Sequence, residues 1–157
     1  MDKHEEVLVA LRQIIRAIDL HSRQLSKVSG LTGPQLLLLQ AIGSNNDISM
    51  RRLAQATHMS QATATTIIDR LVQKDLVRRE RSQTDKRKVY AVLTEEGIEK
   101  LKTAPRPLQE SFIQRFQALE PWEQNLLLSS VQRVSSMMNA NDLDVAPMLQ
   151  VGSLLHE

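Results

Sequence analysis

Cysteine is absent from the 157 residues, which excludes disulfides, thiolate metal sites and cysteine-based redox sensing. Aromatic residues make up 3% of the chain, too few for the stacked platform on which proteins hold single-stranded nucleic acid. The five glycines form no Gly-rich phosphate loop. His4, His21, His58 and His156 are scattered, with no metal-ligand spacing among them or with carboxylates. Neither an enzyme nor a bound cofactor or metal is therefore expected, and surface or interface packing is the simplest role for each histidine. No apolar run approaches the length needed to cross a bilayer, and the start M-D-K-H-E-E lacks a signal-peptide pattern. The expectation is a soluble, cytoplasmic protein with no membrane partner.

What is present is enough apolar content, 41%, to bury one core, as one domain or two fused subdomains. Positive charge is concentrated. Between Arg78 and Lys88 stand Arg78, Arg79, Arg81, Lys86, Arg87 and Lys88 against only Glu80 and Asp85, a local excess of four in a chain whose net charge is +2. The residues outside this window therefore carry a small negative excess.

The segment just before it predicts a helix. Ser60 is a good N-cap, and Ala64, Ile67, Ile68 and Leu71 fall at i, i+3, i+4 and i+7 on one face. The opposite face carries Ala62, Thr65, Thr66 and Asp69. Short hydroxyl and methyl side chains let a helix backbone approach a flat partner and hydrogen-bond base edges, where a merely solvated face would carry more Lys and Glu. Two β-prone runs follow, Leu76 to Arg81 and Val89 to Leu93, with the basic tip between them. A charged hairpin beside such a helix suits phosphate contact plus groove reading. The same charge run in isolation would read as a solvated loop.

The rest of the chain reads as helices. Leu8, Leu11, Ile15 and Ile18 share a stripe on a helix from about Glu5 to Lys27, ended by Ser29 and Gly30. A second helix follows the cap Thr32, with Pro34 in its first turn and Leu36, Leu39 and Ile42 inward. Gly43 to Asp47 reads as a loop, and Ile48 and Ser49 open a third helix, Ser49 as its cap and Ile48 stapled on Leu53. Only His58 and Met59 then precede the Ser60 helix, a tight helix-turn-helix made winged by the hairpin. Ala104-Pro105-Arg106-Pro107 breaks the next helix. Beyond it Leu108, Phe112, Ile113, Phe116 and Leu119 form one apolar face. Leu127, Val131, Val134 and Met138 form another on a helix started by Glu120-Pro121-Trp122-Glu123, with Trp122 a core or interface anchor. The predicted fold class is mainly α with a small β-hairpin wing. The tail carries Leu143, Val145, Met148, Leu149, Leu154 and Leu155, more apolar residues than a free tail keeps in water.

The stretches L-T-G-P-Q-L-L-L-L from Leu31, S-Q-A-T-A-T-T-I-I-D-R-L from Ser60 and D-K-R-K-V-Y-A-V-L-T-E-E-G from Asp85 to Gly97 resemble the MarR-type winged-helix transcriptional regulators. They match that family's second-helix opening, recognition helix and wing signature. The resemblance implies a homodimeric binder of double-stranded DNA, most often a repressor acting on a pseudo-palindrome, with 1–30 a dimerisation helix, 31–97 the winged helix-turn-helix domain and 98–157 dimerisation helices and tail. It implies DNA contact by Ser60, Gln61, Ala62, Thr63, Thr65, Thr66, Asp69 and Arg70 of the recognition helix. The wing would contribute Arg81, Ser82, Thr84, Asp85, Lys86, Arg87 and Lys88, with Arg87 in the minor groove and Asp85 holding it. His21 would border a cleft for a small-molecule effector. The chain departs from the family pattern at Asp75, where many members have Gly, a substitution that Asp tolerates in the left-handed region. The Pro105 and Pro107 break is a second departure. Asp-Leu-Asp-Val-Ala-Pro-Met-Leu near the end is also similar to a subgroup associated with compatible-solute genes, which implies a response to osmotic stress or ionic strength. The competing reading is a helical protein-protein interaction module, which leaves the basic hairpin without purpose.

Overall fold

Gly30 turns the chain out of its first helix. In a computed structural model, which describes residues 2–143, 145 and 148–150, helix α1 (Lys3–Ser29) ends where Gly30 takes φ 69° and donates its N–H to the Ser26 carbonyl at 2.8 Å. That left-handed cap favours glycine. Thr32 then caps helix α2 (Gly33–Ser44) in a reciprocal box with Gln35. Helix α2 is apolar on nearly every side, with Pro34, Leu36, Leu38, Leu39 and Ile42 buried. It is the helix around which the head of the molecule is packed, touching α3 (Met50–Ala56), α4 (Gln61–Gln73), β3 (Val89–Leu93) and α5 (Glu95–Thr103).

Two boundaries differ from expectation. Helix α2 runs through Gly43 to Ser44 instead of stopping before Gly43. Ile48 and Ser49 lead into the third helix as expected, but they do so from a sheet. They form a short strand, β1 (Ile48–Ser49), paired antiparallel to β3 through Ile48 with Ala91 and Ser49 with Tyr90. The sheet therefore has three strands in the order β1-β3-β2, with β2 (Val77–Arg81) starting at Val77, not Leu76. A strand of two residues has no alternation to detect, and only its long-range partner defines it. Ser49 keeps the expected capping role, accepting from the Arg52 N–H at 3.3 Å.

The helix-turn-helix is as expected. Ser60 Oγ accepts the Thr63 N–H at 3.1 Å, and Ala64, Ile67, Ile68 and Leu71 are all buried against the core. Asp75 adopts φ 58° between α4 and β2, so the left-handed turn forms without glycine. The returning strand closes against it. Thr94 donates its N–H to Leu76 O at 3.1 Å and its hydroxyl to Asp75 O at 2.6 Å, and the same Oγ1 caps α5 by accepting the Gly97 N–H at 3.0 Å.

The prolines end α5 at Thr103, and α6 (Leu108–Gln117) and α7 (Pro121–Met137) follow. Neither α6 nor α7 has a buried residue. The stripe on α1 is mostly uncovered, with Leu8 39% and Ile15 58% exposed and Leu11 and Ile18 half-buried, and Trp122, 67% exposed, is not a core anchor in the single chain. In the tail, Met148 is buried beside Gly33, while Leu143 and Val145 are exposed. Leu154 and Leu155 lie outside the described residues.

A Cβ on Gly97 would stand 2.1 Å from Leu76 O, a backbone atom that cannot step aside. Gly97→Ala should cost about 3 kcal/mol by overpacking, visible as a fall of roughly 10 °C in the melting temperature. Gly43→Ala is the control, because its Cβ would meet the flexible end of Leu101 at 2.9 Å. Calorimetry should find that change within about 1 kcal/mol of the parent.

Candidate nucleic-acid interface

Helix α4 turns one face to α2 and the other to solvent. On the outer face Gln61, Ala62, Thr66 and Asp69 are exposed, and Thr63, Thr65 and Arg70 are half-buried. Several of these groups already hold the helix. The Ser60 hydroxyl donates to Thr63 Oγ1 at 2.8 Å, and the Thr66 hydroxyl donates to the Ala62 carbonyl at 3.0 Å. Asp69 forms an ion pair with Arg79 of β2, which ties the reading helix to the hairpin. Gln61, Ala62 and Thr65 are left as the short groups best placed to meet base edges.

The wing tip is ordered by its own polar groups. Ser82, 9% exposed, accepts the N–H groups of Thr84 at 3.3 Å and Asp85 at 3.2 Å and shares a hydrogen bond with the Thr84 hydroxyl at 3.0 Å. The ends close through Ser82 N–H to Lys88 O and Lys88 N–H to Asp85 O, both 2.9 Å. Asp85 Oδ1 accepts the backbone N–H of Arg87 at 3.1 Å. Asp85 therefore steers Arg87 through the main chain, in the manner of an Asx turn, and no ion pair with its guanidinium is formed among the described residues. Arg81, Lys86, Arg87 and Lys88 all remain exposed.

Between wing and helix lies a cleft of about 550 Å³ lined by Ser49, Arg51, Arg52, Gln61, Arg87 and Lys88, with Asp47 and Tyr90 among the others. Arg51 and Arg52 were not among the residues expected from the sequence. They stand in the first turn of α3, immediately after the Ser49 cap. A pair of arginines opening the leading helix of a helix-turn-helix is a signal that the sequence does contain, because that helix crosses the phosphate backbone.

His21 lies elsewhere, on α1, half-buried, with its Nε2 enclosed and without a hydrogen-bond partner among the described residues. A separate apolar groove of about 380 Å³ runs between α1, α6 and α7, lined by Ile14, Ile18, Phe112, Phe116, Leu127 and Leu149. His21 is not among its lining residues. Among the described residues, no helix is long and apolar enough to cross a membrane.

A helix-turn-helix packed on one face and open on the other, a three-stranded wing and a basic cleft between them define a winged-helix DNA-binding protein. The comparisons give the family. The MarR family profile matches residues 29–88. The transcriptional regulator HosA of Escherichia coli O111:H- is 33% identical over 133 residues, 83% of this chain and 96% of that one. Among solved structures, a MepR-like protein complexed with pseudoligands aligns at 25% identity and TM-score 0.54, over 88% of this chain and 95% of that one. The PcaV regulator of Streptomyces coelicolor, in complex with its natural ligand, shares the fold at 20% identity and TM-score 0.57, over 88% and 97% of the two chains. The chain belongs to the MarR family of winged-helix, DNA-binding transcriptional regulators.

Ser82→Ala removes the acceptor on which two tip amides converge. Hydrogen exchange at Thr84 and Asp85 should quicken about tenfold, the loss of roughly 1.4 kcal/mol of local protection. The melting temperature should move by less than about 3 °C, because the tip lies outside the core.

Proposed function

We propose that the protein works as a homodimeric repressor on a pseudo-palindromic operator. Residues 1–30 and 98–157 form the dimer region, and residues 31–97 form the reading head. The observation that carries DNA contact is the basic cleft, where Arg51, Arg52, Arg87 and Lys88 flank the start of α4. In this reading those cations, with Arg81 and Lys86, meet phosphates and the minor groove. Gln61, Ala62, Thr63, Thr65, Thr66 and Arg70 face the major groove. Ser60, Ser82, Thr84 and Asp85 shape the contact surfaces, and Asp69 joins them through Arg79. The exposed apolar faces of α1, α6 and α7 support the dimer, since Phe112, Trp122 and Val131 are more than half exposed in the single chain.

A small-molecule effector belongs to the same reading. The enclosed, unpartnered Nε2 of His21 supports a polar ligand near α1, and the MepR-like relative was solved with pseudoligands. The link to osmotic stress rests on the tail motif alone, of which residues 144, 146 and 147 lie outside the described set. Sequencing the genomic DNA that the protein retains would identify the regulated genes. The alternative, a helical interaction module, is favoured if no duplex DNA binds at low salt.

Light scattering after size exclusion should give a dimer at micromolar concentration. A monomer that binds its operator tightly would refute the assignment of the α1, α6 and α7 faces.

The two DNA-facing elements should fail differently. Arg87→Ala should weaken binding to specific and random duplex alike and flatten the plot of log affinity against log salt by about 0.9 for each phosphate no longer neutralised. Thr65→Val keeps shape and charge but removes a hydroxyl, so specific binding should fall by roughly 1 kcal/mol or more with little change in salt slope. Competition binding at several salt concentrations tests both. Equal weakening on specific and random DNA for Thr65→Val would mean that α4 does not read bases through that residue.

A further inference from the structure

One side chain joins the end of the reading helix to the end of the proposed dimer helix. Lys74 closes α4 with its own N–H on Arg70 O at 3.0 Å, and its ammonium donates to the Gly30 carbonyl at 3.1 Å and to Gln35 Oε1 at 3.3 Å. Gly30 is the left-handed cap of α1, so the ammonium sits where the carbonyl end of a long helix attracts a cation. Gln35 is 2% exposed, and its Oε1 also accepts the Thr32 N–H at 3.2 Å. The cation therefore lands on the capping box of α2 as well. Three helix ends, those of α1, α2 and α4, meet at a single charge. A second brace comes from the tail, which reaches α1 where Leu149 shares a groove with Ile14 and Ile18. Met148, 8% exposed, packs its sulfur where a Cβ on Gly33 would lie 2.8 Å away, and the next residue, Leu149, donates its N–H to Gln109 Oε1 of α6 at 3.0 Å.

We propose that Lys74 and Met148 are positioning residues that fix the angle between α1 and the reading head, and so set the half-site spacing that the dimer accepts. This rests on the dimeric regulator reading above. Helix α1 is a lever. A tilt of about 5° at one end of a helix roughly 40 Å long moves the other end by about 3.5 Å, close to the rise of one base pair, about 3.4 Å. A small freedom at the Gly30 junction therefore shifts each head, relative to the far end of α1, by about one base-pair rise. Neither residue touches DNA in this proposal, so neither carries affinity for phosphates.

The test uses an operator selected by the wild-type protein from random duplexes, then resynthesised with its half-sites one base pair closer and one farther apart. The wild type should bind the altered spacings about tenfold or more weakly. Lys74→Met, which keeps the stem and removes the donors, should shrink that penalty to about threefold while leaving random-duplex affinity and salt slope unchanged. Lys74→Arg should retain the wild-type penalty. Met148→Ser should shrink the penalty as Lys74→Met does, and because Met148 lies outside the main core cluster it keeps the test sound if Lys74→Met folds poorly. The proposal is overturned if both variants keep the wild-type spacing penalty. It is equally overturned if Lys74→Met weakens every duplex alike and lowers the salt slope by about 0.9, the mark of a phosphate contact. A wild-type protein that selects no operator refutes the regulator reading itself, and a wild type whose selected operator tolerates both spacings refutes only the positioning role.

Discussion

The wing and the reading helix are held in register by a backbone approach that admits no side chain. Gly97 lies against Leu76 O, the same carbonyl that accepts the Thr94 N–H, while the Thr94 hydroxyl ties to Asp75 O and caps α5. The end of α4, the start of β2, the end of β3 and the start of α5 thus converge within a few residues. This gives Leu93, Thr94 and Gly97, the end of the wing signature, their physical reason. The leucine closes the strand, the threonine satisfies two backbone positions, and the glycine permits the approach. The Asp69–Arg79 pair braces the same assembly from the solvent side, although an exposed pair of this kind contributes little to stability.

Above that joint the chemistry divides by side-chain length. The α4 face is short and largely uncharged, and the long cations stand around it on α3 and the wing. Such a division lets the phosphate contacts set distance and orientation while small groups discriminate between bases. It also explains why so much charge can be concentrated in a head of modest size. The cations are exposed, and the carboxylate at the tip, Asp85, is used to shape the main chain instead of neutralising Arg87.

Much of this was legible in the sequence, wherever a local rule has one outcome. Ser60, Thr32 and Ser49 each sit one residue before a helix and cap it. The Ala64, Ile67, Ile68, Leu71 stripe is buried, and Asp75 takes the left-handed turn expected of it. What could not be read depends on distant partners. Strand β1 exists only because β3 returns beside it. Periodicity places Asp69 on the outer face, and only the returning strand shows that Arg79, ten residues on, pairs with it there. Conversely, α1, α6 and α7 show clear apolar stripes that the single chain leaves uncovered. Periodicity states that a face must be covered and is silent about whether the cover is the same chain.

The wing tip has a kinetic consequence. Its backbone is already fastened by Ser82 and Asp85 before any partner arrives, so docking does not first have to collapse a floppy loop and incurs little ordering entropy. Encounter is then governed by diffusion and by the attraction of the cationic surface, which changes little from one DNA sequence to another. Discrimination is left to departure. A protein built this way scans many wrong sites briefly and separates them from the right one by residence time.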